Sequence, residues 1–334
     1  MDNINIKKLA KELNLSAATV SRALRDSYEI SIETKQRVRD LAQKLNYEPN
    51  PSASNLRSQK SKTIAVIIPA IANNFFSQAI NGIEEVARKR GYHVLIYQTH
   101  EDHETEISFI NKLLNGRVDG ILISVCNHSR VKDYYKKLSI TIPFVFFDRS
   151  IEGLQTVNII TDDFESSFGA TIHLIECGCK KIAYLYALDN LTTGKRRIAG
   201  YYEALKKHDM FCKDELIIKC EKDVEQNYKS IKLLLMGQKP DGIIASIEEL
   251  ALPCYHICKE LHLSIPNDIK LISFSNLDTA SVLNPSLTTI TQPAYEMGKN
   301  ASTILFKILD KKYFESEENL VLKSVLVKRE STGL

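Results

Sequence analysis

The chain has 334 residues, of which 44% are apolar and 25% charged, room for two or three domains with well-buried cores and an ordinary soluble composition. It contains no run of eighteen consecutive apolar residues, which excludes a helical membrane span. Met1-Asp2-Asn3-Ile4 opens without the basic and then apolar stretches of a secretory signal.

The formal net charge of +3 is unevenly spread: residues 1–62 hold twelve Lys plus Arg against seven Asp plus Glu, so they carry +5 and the remainder −2. A basic head on a mildly acidic body is expected where the head alone meets a polyanion. Seven scattered cysteines (Cys126, Cys177, Cys179, Cys212, Cys220, Cys254 and Cys258) read as reduced thiols of a cytoplasmic protein. Cys177-Gly178-Cys179, and Cys254 and Cys258 around His256, lack the tighter paired spacing and fourth ligand of a usual zinc site. No metal or cofactor is expected.

In chain order, Ile6, Leu9, Ala10 and Leu13 recur at helical spacing, Asn14-Leu15 reads as a turn, and Ser16 stands where an N-cap belongs. On the next helix Val20 and Leu24 point inward, leaving Ala17, Ala18, Ser21 and Arg22 outward. Small side chains near a helix start let the backbone approach a DNA major groove, and an arginine reaches guanine edges or phosphate. The competing interpretation is a small helical bundle with a solvated face. Ser31-Ile32-Glu33-Thr34 begins a third helix lined by Val38, Leu41, Ala42 and Leu45, which ends near Asn46-Tyr47 before Pro49-Asn50-Pro51. Ser52 to Lys62 is polar and basic, with Leu56 its prominent apolar side chain. It is either a flexible tether or a short helix that folds only on DNA.

From Thr63 strands and helices alternate. Apolar runs at Ile64–Ile68, Tyr92–Tyr97, Gly120–Ser124, Phe144–Phe147 and Val157–Thr161 are separated by amphipathic segments, as in a doubly wound parallel α/β sheet. The rhythm restarts with Ile182–Leu185, Leu216–Lys219, Gly242–Ala245, Ile269–Phe274 and Leu287–Ile290, followed by the helix Glu296–Leu309. Two α/β lobes in tandem make a cleft that closes on a small molecule, with the site at the carboxyl ends of the strands.

Leu15-Ser16-Ala17-Ala18-Thr19-Val20-Ser21-Arg22-Ala23-Leu24, Leu45-Asn46-Tyr47-Glu48-Pro49-Asn50 and Ala53 to Leu56 resemble the lactose-repressor/galactose-repressor (LacI/GalR) family of bacterial regulators. The body carries similar motifs in the family's order: Asn74-Phe75-Phe76, Val118-Asp119-Gly120-Ile121, Phe147-Asp148-Arg149, Arg197-Ile198-Ala199-Gly200-Tyr201, and Pro285 to Pro293. The resemblance runs from about Ile4 to Arg329. It implies a helix-turn-helix head over residues 1–49, a hinge over 50–62, and a two-lobed, periplasmic-binding-protein-like body over 63–334. The first lobe is expected at about 63–161 plus 291–320, the second at about 162–290.

For the head, the resemblance implies a homodimer on near-palindromic double-stranded operator DNA. Ala17, Ala18 and Arg22 fall where the family contacts base edges, alanine offering only apolar contact such as to thymine methyls. Ser16, Thr19, Ser21, Ser31 and Thr34 fall where it approaches the backbone or positions the helix. Asn50, Ala53 and Leu56 belong to a hinge helix in the minor groove, where Leu56 matches a leucine that wedges into the central base step.

For the body, the resemblance implies a small-molecule effector between the lobes, most commonly a sugar. Phe75, Phe76, Asp148, Arg149, Arg197, Glu248, Ser275 and Asn276 are the matching or neighbouring positions. Phe75 and Phe76 are otherwise ordinary core, and Arg197 otherwise an interlobe salt bridge. Two departures bear on the effector. Ile247-Glu248 stands where the family usually has Asp or Asn, and Ser273-Phe274-Ser275-Asn276 where it has Gly-Phe-Asp-Asp. Losing the carboxylate at 275 removes a strong acceptor for sugar hydroxyls, although Asp278 is close. A regulator of the same architecture without a small-molecule effector therefore stays open.

An enzyme on these lobes lacks its signatures. Ile68 is followed by Pro69-Ala70-Ile71, not a Gly-rich phosphate turn, and Thr193-Gly194-Lys195 has neither the earlier glycine nor a Ser or Thr after the lysine. No Gly-x-Ser-x-Gly elbow occurs. A solute-binding protein of the same build would need an export signal where this chain has its head.

Overall fold

The computed structural model describes residues 5–47, 60–126, 132–151, 153–154, 156–211, 213–221, 223–311 and 319–333. Two compact units divide between Ser61 and Lys62. Asn50, Ala53 and Leu56 lie outside the described residues.

In the first unit, helices α1 (Ile6–Glu12), α2 (Ala17–Leu24) and α3 (Ile32–Lys44) are each opened by a side-chain cap, from Asn5, Ser16 and Ser31. These caps satisfy amides that have no partner within the helix. α1 ends in a left-handed Asn14 at φ 54°, after which the Leu15 N–H donates to Ala10 O at 2.9 Å. Asparagine tolerates that conformation better than most residues, so the turn needs no glycine. Leu9, Ala10, Val20, Ala23, Val38 and Ala42 form the core. Val20 is fully buried and Leu24 packs half-buried against the core, as the spacing predicts; Ala23, fully buried, and Ala17, half-buried and expected to face outward, join them. The small residues Ala17 and Ala23 thus widen the buried stripe beyond what the large apolar side chains mark out.

In the second unit, β1 (Thr63–Ile68) is buried over five consecutive residues, as a central parallel strand must be. Around it lie α4 (Asn74–Lys89), β2 (His93–Gln98), α5 (His103–Leu113), β3 (Gly120–Ile123), α6 (Lys132–Thr141), β4 (Phe144–Phe147) and β5 (Asn158–Thr161). The second lobe contains α7 (Asp163–Glu176), β6 (Ile182–Tyr186), α8 (Thr192–Lys207), β7 (Ile217–Lys219), α9 (Val224–Gly237), β8 (Gly242–Ala245), α10 (Ala251–Glu260), β9 (Lys270–Phe274) and β10 (Thr288–Thr291). α11 (Ala294–Leu309) returns to the first lobe, and β11 (Leu320–Leu322) and β12 (Val325–Val327) end the chain.

The first sheet runs β11-β5-β4-β3-β1-β2 and the second β12-β10-β9-β8-β6-β7. Every pairing is parallel except β10 with β12. Each sheet is covered on both faces by apolar clusters. α11 lies so close to α4 that a Cβ on Gly298 would strike the Ala79 carbonyl, and one on Gly82 the Tyr295 carbonyl. Among the described residues, no helix is long and apolar enough to cross a membrane.

The tail serves both lobes: β11 joins the first sheet and β12 the second. A division that ends the first lobe at residue 320 misses this, because two three-residue strands are too short for periodicity to identify. The chain therefore passes between the lobes at Thr161–Asp163, at Gln292-Pro293 and at Lys323-Ser324. These crossings are tied side by side. Ser324 N–H donates to Asp162 Oδ1 at 2.8 Å, and Gln292 Nε2 to Thr161 Oγ1 at 3.1 Å.

Candidate functional site

The head presents one candidate surface. Ser16 Oγ accepts from the Thr19 amide at 3.1 Å and lies 2.9 Å from Thr19 Oγ1. Ser31 and Thr34 repeat the arrangement at the start of α3. Arg25 donates to the carbonyl and hydroxyl oxygens of Ser21. Arg22 is exposed and pairs with Glu29 at 2.9 Å, each side chain about half accessible. Ala18 is half-buried beside it. Around the turn, Asp26 binds Lys35 and Arg39, and its carboxyl is held below the ordinary value by the Lys35 hydrogen bond first and by both cations. Arg25 and Glu29 are members of this surface that helical spacing alone does not single out.

The second candidate is a cavity of about 410 Å³ lined from both lobes at the carboxyl ends of the strands. All eight residues singled out in the body (Phe75, Phe76, Asp148, Arg149, Arg197, Glu248, Ser275 and Asn276) line it. Phe75 and Phe76 are also core. Their rings meet edge to face at 5.2 Å, and Phe76 packs the same way on Phe147.

Asp148 follows β4 in the left-handed conformation at φ 62°, a position that costs energy for any residue but glycine. Its Oδ2 accepts from Ser124 Oγ at 3.2 Å, and its carbonyl accepts from Thr193 Oγ1 at 3.1 Å, a contact that crosses the lobes. Burial pushes its carboxyl up, against the pull of Arg149 and Arg197. Arg149 is paired with Glu101 and lies 5.7 Å over the Phe76 ring. Its buried Nε has no hydrogen-bond acceptor, although Asp148 Oδ2 lies 3.5 Å away.

Arg197 does not bridge the lobes. Its Nε donates to Asp163 Oδ1 at 2.8 Å, its Nη1 to Ser246 O at 2.6 Å, and its guanidinium lies 3.9 Å over the Phe274 ring. All of these partners belong to the second lobe or its first crossing. Burial raises the Asp163 carboxyl against the pull of Arg197.

Glu248 begins the turn after β8, and donors surround its carboxylate. Oε1 accepts from the Asn74 amide and side chain, Oε2 from Ser275 Oγ and the Asn276 amide. Asn276 also donates to Gln292 O at 2.8 Å and to Gln78 Oε1 at 3.0 Å. Asp278 does not replace the missing carboxylate: it is not on the cavity wall, and its Oδ1 faces Gln78 Nε2 at 3.5 Å.

His100 and Glu101, Asn73, Glu249 and Gln292 are further polar residues of the wall. His100 and Glu101 stand just past β2, where the rule of strand carboxyl ends would have found them. Asp163, which orients Arg197, gives no signal in the sequence. Cys220 also lines the cavity, its thiol pushed up to about 12 by burial, which keeps it a neutral wall and not a nucleophile. Among the described residues, no three metal-ligating side chains cluster.

Residues 5–50 match the model of the bacterial regulatory proteins, lacI family. Residues 61–330 match that of the periplasmic binding proteins and sugar binding domain of the LacI family. The HTH-type transcriptional regulator RegA of Clostridium saccharobutylicum is 30% identical over 331 residues, 98% of this chain and 99% of its own. Among solved structures, the lac repressor dimer bound to operator and the anti-inducer ONPF shares the fold at a TM-score of 0.88, with 22% identity over 99% of each chain. The transcriptional regulator CelR in complex with cellobiose does so at 0.74, with 22% identity over 98% of this chain and 100% of its own. With a helix-turn-helix head and a two-lobed body that each match their family model, the chain belongs to the LacI family of DNA-binding transcriptional regulators and is not an enzyme.

Proposed function

We propose that this regulator binds a near-palindromic operator as a homodimer in the cytoplasm, and that a neutral, sugar-like molecule held between its lobes sets its affinity for DNA. The observation that carries the effector reading is the cavity itself. Aromatic edges and a buried, pre-oriented guanidinium converge on a space of about 410 Å³, within the usual range for a small-molecule site. Neutrality follows from the charges already spent. Arg149 is paired with Glu101, and Arg197 with Asp163, so the wall offers no uncommitted guanidinium to a phosphate. Sugar complexes such as that of CelR support the ligand class.

The homodimer is supported by β2, an edge strand that leaves Leu95 and Ile96 each 40% accessible. An apolar strand edge of this kind calls for cover, and the operator complex of the lac repressor dimer is a relative's precedent. A ligand that binds one lobe arrangement better shifts the population toward it and, through linkage, alters the DNA affinity.

The test is a thermal-shift screen of the full-length protein against neutral sugars, nucleosides, amino acids and sugar phosphates, followed by operator titrations with and without each hit. The expected result is stabilisation by a neutral polyol that also changes operator affinity, and that is lost in a Phe76→Leu variant. Stabilisation by phosphorylated sugars alone would overturn neutrality. An operator affinity that no cavity ligand alters would favour the regulator that needs no small effector.

A further inference from the structure

We infer that Glu248 is a built-in ligand of the first lobe, an interlobe latch that holds the cleft closed with no effector present. Its carboxylate receives four hydrogen bonds at 2.9 to 3.3 Å: two from Asn74 in the first lobe, and two from Ser275 and Asn276 in the second. That number exhausts the acceptor sites of a carboxylate. The Asn74 amide is the first of α4, one of the four that the helix itself cannot satisfy, and the helix dipole favours a negative charge there. Asn73 caps the next amides, those of Phe75 and Phe76, through its Oδ1, while its Nδ2 donates to Glu249 Oε1 at 2.8 Å. One turn along, Gln78 exchanges hydrogen bonds with Asn276.

The same rim of α4 is thus held by side chains of the second lobe at Glu248, Glu249 and Asn276. A position offered to a ligand would keep free acceptor capacity. Glu248 has none, because the second lobe has placed its own anion where an effector group would otherwise join the lobes. Ser275 fits this account: a carboxylate there would set a second negative charge beside Glu248, whereas the hydroxyl donates to it at 3.1 Å.

The latch stands on the hydrogen bonds that Glu248 makes to both lobes. Only its last step, that an effector must break or replace the bridge to change the lobe arrangement, rests on the effector reading proposed above. In that step the free energy of entry includes the cost of releasing Glu248, so the latch sets the threshold at which the regulator responds.

Amide-resolved hydrogen exchange and small-angle scattering on the full-length, ligand-free protein test this. The variants are Glu248→Ala and Asn74→Asp. The second suits the first turn of a helix and sets a like charge against Glu248, so it opens the latch without weakening α4. The expected result is a slow amide at residue 74 in the wild type. Both variants should exchange there at least about tenfold faster, the factor equivalent to about 1.4 kcal/mol and within the worth of a hydrogen bond to a charged group. Both should also show a larger radius of gyration. A residue-74 amide that exchanges in the wild type as fast as in the Glu248→Ala variant would overturn the latch. Because no ligand is present, that result would leave the cavity reading intact, and a failed ligand screen would leave the latch intact.

Discussion

Arg197 and Asp163 form an ion pair at 2.8 Å with side chains 4% and 3% exposed, at the point where the chain first crosses between the lobes. Breaking a buried pair by removing one partner leaves the other charge uncompensated and costs about 3–5 kcal/mol. Asp163→Asn and Arg197→Ala are therefore each expected to destabilise the body by about that amount in urea unfolding. The joint replacement Arg197→Met with Asp163→Leu should recover most of the loss, because apolar pairs of similar volume are often neutral in such sites. Single variants that cost less than about 1 kcal/mol would show that water reaches the pair, which its burial argues against.

Asp148 links the cavity to pH. Burial raises its carboxyl above the ordinary value in the folded protein. A raised native value means that the folded state holds a proton which the unfolded state has released. The stabilising contribution is then complete below the unfolded value of about 3.9 and is lost as pH rises through the folded one. Asparagine cannot titrate, retains an acceptor for Ser124, and tolerates the left-handed backbone at φ 62°. The stability of Asp148→Asn relative to wild type should therefore increase as pH rises from about 4 toward neutrality. Urea midpoints across that range measure it, and a constant difference would show that Arg149 and Arg197 cancel the burial effect.

These two sites also show how far the sequence could be read. The strands of both sheets were legible because buried parallel strands such as Thr63–Ile68 and Phe144–Phe147 are continuous apolar runs. The cavity wall was legible because ligand sites in such sheets follow the strand ends. The partners were not. Asp163 lies 34 positions from Arg197 and Glu248 lies 174 from Asn74, separations at which only the folded chain decides who meets whom. Glu248 reads from the sequence as a candidate ligand contact, and it does line the cavity, but its four hydrogen-bond donors have no signature in the sequence. The strands Leu320–Leu322 and Val325–Val327 are too short to carry a period, so the third crossing was invisible.

Glu106 is a buried carboxylate remote from the family's motifs. It accepts from the Tyr135 hydroxyl at 2.7 Å and from the Cys126 amide at 2.8 Å. Burial, reinforced by this neighbouring charge, pushes the Tyr135 phenol well above its ordinary value, so the phenol stays a donor throughout the working pH range. Tyr135→Phe keeps the ring in place and removes one hydrogen bond to a charged group, an expected loss of about 1.5–3 kcal/mol. The urea midpoint should fall while operator affinity stays unchanged, since the substitution lies wholly within the first lobe. A stability loss that vanishes in a Glu106→Gln background would assign the cost to the charge itself.

In the head, we propose that Arg22 meets the DNA and that Glu29, its partner in the free protein, competes for it. The pair is half-exposed on both sides, and pairs of this kind contribute little to folding, so a phosphate or a guanine edge can displace the glutamate. Removing that competitor in Glu29→Gln should tighten binding to operator and to unrelated DNA severalfold at low salt, with the gain shrinking as salt rises. Arg22→Ala should weaken operator binding by about 1–3 kcal/mol and unrelated DNA by less, because a base-edge contact discriminates and a phosphate contact does not. Fluorescence anisotropy at two salt concentrations separates the terms when both substitutions are combined. If Glu29→Gln acts only by freeing Arg22, its gain on the operator disappears in the Arg22→Ala background. An undiminished gain would mean that the glutamate repels the DNA backbone directly, and the base contact would then have to come from another side chain of α2.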